Sequence, residues 1–363
     1  MKTKPMTKFA ILALSLVLVA CAGGGSEEAG CPAIDGREIN VVATTPMIGE
    51  FVSQVGGESI NLTVLMPPEA NPHTYEPAPQ DAGTIAEADL VFYTGLLYEP
   101  AALVKLLENS ACSTDILSEV GESVFPIEFK EDGHDDHDDH DDHDDHDDHD
   151  DEKDHDDEEG HDDHDDEEGH DDHDDEEGHD DHEGHNHGAY DPHFWFDPSR
   201  VAYAAEYIES RLIQFDPENE SSYISSADSF VSELNDLTKQ VSELISTVPS
   251  QNRKLITTHE SLGYLEAKFG LEVLSTIIPS LNSANEISPS DLAGVIDVIE
   301  DNNVKVIFIE SEAPSVYSET IVAETGIKPV TGLYVETLKP GQSYSEFLIS
   351  NVKLITENLQ DTD

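Results

Sequence analysis

Between residues 131 and 189 the chain is built almost wholly of His, Asp, Glu and Gly, and from 134 to 187 it holds no apolar side chain. Such a stretch has nothing to bury and cannot offset the entropy of its own ordering. It is therefore expected to be a disordered loop outside any core, and it splits the foldable chain in two. Setting aside this tract and the N-terminal leader leaves about 280 residues, which suits two lobes of ordinary domain size.

The tract is nonetheless patterned. Fifteen of the eighteen histidines fall in it: His134, His137, His140, His143, His146, His149, His155, His161, His164, His170, His173, His179, His182, His185 and His187. His-Asp-Asp recurs at period three from His134 to His149, and HDDHDDEEG begins at His161 and again at His170. A plain acidic linker needs no histidine at every third position. Imidazole is the commonest metal-binding side chain at neutral pH, so the tract is read as a weak metal-gathering loop. The other three histidines, His73, His193 and His259, stand far apart in ordinary globular sequence and are the candidates for a built site.

Charge narrows the partners. The formal net charge is −63; residues 131–190 contribute −34 of it and the rest of the chain −29. A chain this acidic outside its tract is no nucleic-acid binder. It suits a well-solvated surface outside the cell that attracts cations.

The N-terminus reads as a targeting segment, 1–20. Lys2, Lys4 and Lys8 precede an apolar run over 9–20, which is too short to span a bilayer as a helix. Leu18-Val19-Ala20-Cys21 resembles the lipobox of bacterial lipoproteins. That resemblance implies cleavage before Cys21 and lipid on its sulfur, with 21–36 as a flexible tether. No later stretch is apolar for long enough to cross a membrane, so the mature chain is expected outside the cytoplasmic membrane, anchored by lipid, as a monomer. The two remaining cysteines, Cys31 and Cys112, are expected to pair in an oxidising compartment.

Strand signals over 39–44, 60–66 and 90–93 alternate with helix-like runs after Pro46 and over 78–88. Alternation of this kind predicts βαβ units and a mostly parallel sheet. A helix over 201–215 leads into a second, longer one; Asp216-Pro217 reads as its cap and first residue, and apolar positions recur at helical spacing to about 249. The C-terminal part repeats the theme, with strands over 254–258, 271–275, 304–309 and 328–334 and helices over 261–269, 289–300, 316–325 and 344–359. The expected fold class is α/β: two lobes with mostly parallel sheets, 37–215 and 250–363, joined by one long helix, 216–249.

The candidate ligands fall just after strands, where open α/β sheets place their sites. His73 follows the second strand, His259 follows Thr257-Thr258, and Glu336 follows Leu333-Tyr334-Val335. His193 lies in Asp191-Pro192-His193-Phe194-Trp195-Phe196-Asp197-Pro198, right after the tract. Three imidazoles and one carboxylate suit Zn²⁺. Glu310 is a further acid at the same edge, read as structural. Phe194 and Trp195 are read as packing beside the site.

Asn71-Pro72-His73-Thr74-Tyr75-Glu76-Pro77, the segment 191–198, and Thr258-His259-Glu260-Ser261-Leu262-Gly263-Tyr264-Leu265 resemble the three His motifs of the zinc/manganese ABC-transporter substrate-binding proteins. These are the ZnuA-like lipoproteins of cluster A-I, also called cluster 9. Leu333-Tyr334-Val335-Glu336-Thr337-Leu338 is similar to the group's fourth-ligand motif, where Asp is usual, and Thr94-Gly95-Leu96-Leu97-Tyr98-Glu99 also fits. The resemblance covers about 37–130 and 188–360. It implies two α/β lobes bridged by a long helix with the metal between them, an ABC permease and its ATPase as partners, and an acidic His-rich loop as a mark of zinc members. It also implies that manganese members carry Glu where His259 stands. Two departures matter. Asn71 replaces Asp before Pro-His. Glu336 is one methylene longer than Asp, so either its carboxylate or a water takes the fourth position.

The resulting expectation is an extracytoplasmic receptor that delivers Zn²⁺ to an ABC importer. The alternatives are a manganese or iron receptor of the same family and an extracellular zinc buffer or adhesin. An enzyme is not expected, because no HExxH pattern or placed general base accompanies the histidines.

Overall fold

The computed structural model describes residues 31, 33–34, 36–129, 190–278, 288–311 and 316–360. The leader, Cys21 and the fifteen tract histidines lie outside the described residues.

The chain opens with β1 (Ile39–Ala43), α1 (Pro46–Gly56), β2 (Ile60–Val64), α2 (Pro79–Ala86), β3 (Leu90–Tyr93), α3 (Ala101–Ser110) and β4 (Leu117–Glu119). The strands form one fully parallel sheet in the order β2-β1-β3-β4. Val41 at its centre sits opposite Leu62 on one side and Leu90 on the other. Thr45 caps α1 by accepting from the Ile48 N–H at 3.2 Å, and Pro46 supplies the preset first turn. Met47, Ile48, Phe51, Val52 and Val55 then form its buried face.

Beyond the tract come α4 (Pro198–Phe215) and α5 (Glu220–Ser246). The remaining elements are β5 (Lys254–Thr257), α6 (Gly263–Phe269), β6 (Glu272–Thr276), α7 (Pro289–Asp301), β7 (Val306–Glu310), α8 (Val316–Thr325), β8 (Lys328–Leu333) and α9 (Tyr344–Gln360). β5 pairs with β6 and β7 with β8, each in parallel, and β5 runs beside β7. The fold is α/β, with parallel pairing in all three sheets among the described residues.

Two details differ from the sequence expectation. The long helix does not begin at Pro217: Pro217–Asn219 is a separate 3-10 turn, and α5 starts at Glu220. Asp216 is not its cap. It accepts instead from the buried Tyr223 hydroxyl at 2.6 Å and from Asn219 Nδ2 at 2.7 Å. Finally, α3 and β4 had no strong sequence signal. β4 is the edge strand, and Leu103 and Leu107 of α3 share an apolar cluster with Ile116 just before it.

α5 spans about 40 Å at the usual rise and packs on α1 and α4 from the first half and on α6 and α9 from the second. One apolar cluster runs through both halves, from Ile39 and Phe51 through Phe194 and Phe230 to Phe347 and Leu359. Phe51 meets Tyr344 edge-on at 5.3 Å, and Phe196 lies 5.7 Å from Phe347. A disulfide joins Cys31 to Cys112, tying the segment before β1 to the loop after α3. Among the described residues no helix is long and apolar enough to cross a membrane.

Candidate metal centre

The strand ends place the chemistry. His73 sits in a 3-10 turn (Pro72–Thr74) after β2, and Asn71 Oδ1 accepts from its backbone N–H at 2.9 Å. His193 opens the turn Phe194–Phe196, and Asp191 Oδ1 accepts from its N–H at 2.8 Å. Both are the same device: an Asx side chain, then proline, then the histidine, so the turn fixes the ring's origin. His259 lies just past β5, and Glu336 just past β8.

These four side chains converge. All are buried, His73 the least so at 7 % exposure. Their ligating atoms all lie within 4.8 Å of one another. Oε1 of Glu336 stands 3.2 Å from His73 Nε2, 3.4 Å from His193 Nε2 and 2.8 Å from His259 Nε2. His193 Nε2 and His259 Nε2 are 3.5 Å apart.

Carboxylates orient two of the rings from behind. Asp191 Oδ1 is 2.7 Å from His193 Nδ1. Glu310 Oε2 contacts His259 Nδ1, while its Oε1 accepts from the His259 N–H at 3.2 Å. A carboxylate can only accept, so each Nδ1 carries a hydrogen, and in the neutral ring each Nε2 turns its lone pair to the centre. Glu310 is thus the orienting partner of His259. Thr258 Oγ1 accepts from the Glu310 N–H at 3.0 Å and ties the two strands together there.

Electrostatics couple the cluster. Burial opposes charge on His193, but Glu336 and Asp191 outweigh it and push its pKa up to about 9. Burial likewise opposes charge on His259, and Glu310 with Glu336 carries it up to about 10. Burial alone would raise Glu336; its electrostatic coupling to the neighbouring histidines instead holds it well below the usual carboxylate range.

A further set of contacts was not legible beforehand. Tyr98 donates to Glu336 Oε2 at 2.9 Å. Trp195 Nε1 donates to the Val335 carbonyl at 2.8 Å, and Tyr344 donates to the Trp195 carbonyl at 2.7 Å. Trp195 therefore does more than pack: it anchors the backbone beside Glu336. The role of Asp191 had one available signal, the repeated Asx-Pro-His pattern.

A family model described as ZnuA, zinc-uptake complex component A periplasmic, matches residues 41–358. Among curated relatives, the manganese-binding lipoprotein MntA of Halalkalibacterium halodurans is 21 % identical over 95 % of this chain and 94 % of its own. The manganese ABC transporter substrate-binding lipoprotein PsaA of Streptococcus anginosus is 24 % identical over 98 % of this chain and 99 % of its own. Among solved structures, the periplasmic zinc-binding protein TroA of Treponema pallidum has a TM-score of 0.67 at 19 % identity, covering 89 % of this chain and 99 % of that one. With a match that runs from β1 into α9, the chain belongs to the family of the periplasmic zinc-uptake component ZnuA.

Proposed function

We propose that this chain captures Zn²⁺ outside the cytoplasmic membrane and delivers it to an ABC permease and its ATPase. At the coarser level it is a metal-binding substrate-binding protein of ABC transporters, a solute receptor rather than an enzyme. It is extracytoplasmic and membrane-anchored, as lipoprotein relatives are, with lipid on Cys21. Lobes 37–215 and 250–363 each supply two ligands, His73 and His193 from the first, His259 and Glu336 from the second.

One observation carries the choice of metal. A regular tetrahedron with bonds of about 2.0–2.1 Å has edges of about 3.3–3.4 Å. Of the six donor separations, those of 3.2, 3.4 and 3.5 Å lie near such edges, the 2.8 Å one is shorter, and all six stay within 4.8 Å. Three nitrogens and one oxygen at that spacing favour Zn²⁺, whereas Mn²⁺ suits oxygen-rich shells of higher coordination. Manganese is the second reading, supported by the names of the two curated relatives.

The test is native mass spectrometry of the full chain offered Zn²⁺ and Mn²⁺ together at one equivalent each. Zinc should fill a single tight site, and His259→Ala should weaken it by more than the roughly 100-fold that loss of a mere orienting partner costs. Preferential loading of manganese would refute the zinc assignment.

A further inference from the structure

Glu336 is held asymmetrically. Oε1 faces all three imidazoles, while Oε2 accepts from the Tyr98 hydroxyl at 2.9 Å. The same hydroxyl lies 3.0 Å from the Glu336 backbone carbonyl. Tyr98 is 1 % exposed, and its ring stands edge-on to His73 at 5.1 Å and to Trp195 at 5.3 Å. The hydroxyl therefore has no room to swing away.

The backbone that delivers Tyr98 is unusual. Gly95, Leu96 and Leu97 have φ of 76°, 53° and 59°, three consecutive left-handed residues, two of which carry a side chain. Such a conformation is sterically strained for each non-glycine residue. Carboxylates hold it: Glu99 accepts from the Thr94 N–H at 2.6 Å and the Gly95 N–H at 2.9 Å, and Glu119 accepts from the Leu96 N–H at 2.9 Å. A Cβ on Gly95 would come within 2.1 Å of Glu119. Strain retained against this cost points to a function for what it positions.

We infer that Tyr98 sets metal selectivity by holding Oε2 out of the coordination shell, so that Glu336 offers a single oxygen. The inference rests on the zinc reading and deepens it. The glutamate at this position has an extra methylene and so more freedom to turn than an aspartate. A carboxylate free to turn presents both oxygens and raises the coordination number, which favours Mn²⁺ over Zn²⁺. Tyr98 removes that freedom. It is a positioning residue, acting through Glu336.

The probe is Co²⁺ at half an equivalent on the full chain, read by visible absorption, together with Zn²⁺ and Mn²⁺ affinities by competition. Four-coordinate cobalt absorbs more strongly than five- or six-coordinate cobalt. Tyr98→Phe keeps the packed ring and should weaken the cobalt bands and lower the Zn²⁺:Mn²⁺ affinity ratio about tenfold. In a Glu336→Ala background the same substitution should leave the ratio unchanged. Equal weakening of both metals with an unaltered cobalt spectrum would overturn the inference, as would a tenfold effect persisting without Glu336. A wild-type preference for manganese would sink the zinc reading instead. The Tyr98 inference is judged separately, by the difference between variant and wild type.

Discussion

Two imidazoles of the centre are aimed by carboxylates, one close in sequence and one across a strand. Asp191 stands two residues before His193, and Glu310 reaches His259 from β7. Glu310→Gln keeps the volume but replaces one accepting oxygen with a donor that faces the His259 ring or backbone. Zinc affinity should fall by about 10–100-fold, measured by competition with a chelating dye. Protons give a second check. With His193 raised to about 9 and His259 to about 10, both rings are charged at pH 7 in the metal-free protein. A cation must expel those protons, so binding tightens as pH rises and levels off once both values are passed. Calorimetry at pH 7 in buffers of different ionisation enthalpy should report roughly two protons released per metal. Buffer-independent heats would contradict this.

At the level of elements, the junction of α4 and α5 shows what local signals conceal. Asp216-Pro217 has the composition of a helix start, yet the turn closes first and the helix begins three residues later. The tertiary partner decided it, because Asp216 accepts from the buried Tyr223 hydroxyl. Asp216→Ala leaves that hydroxyl without its acceptor and should lower stability by about 1–3 kcal/mol in urea unfolding. Most strands were legible because they are short, nearly continuous apolar runs such as Val306–Glu310, typical of parallel sheets. β4 was not, since three residues (Leu117–Glu119) carry too little pattern. The site shows the same division. His73, His193, His259 and Glu336 stand in recognisable motifs, whereas Tyr98 acquires its partner only when β3 and β8 bring their ends together.

Across the whole molecule, residues 134–187 carry no apolar side chain that could join a core. Deleting 134–187 should therefore preserve cooperative melting and the tight site, within about 0.5 kcal/mol of the parent, as expected for changes away from the core. Loss of a cooperative transition would reject this. One apolar cluster is shared by both halves of the described chain, with Phe51 against Tyr344 and α5 against α9. The candidate ligands come in pairs from the two halves, so a metal held by all four would be a contact between them. The acidic surface, at −29 outside the tract, favours cation approach.

The central claim is that three imidazoles and one carboxylate oxygen grip a single zinc ion. X-ray absorption at the zinc edge, on the full chain loaded with half an equivalent, tests it most directly. The account predicts four light ligands at about 2.0–2.1 Å with the scattering pattern of three imidazole rings. A shell of five or six oxygens and nitrogens, or only one or two imidazoles, would contradict it.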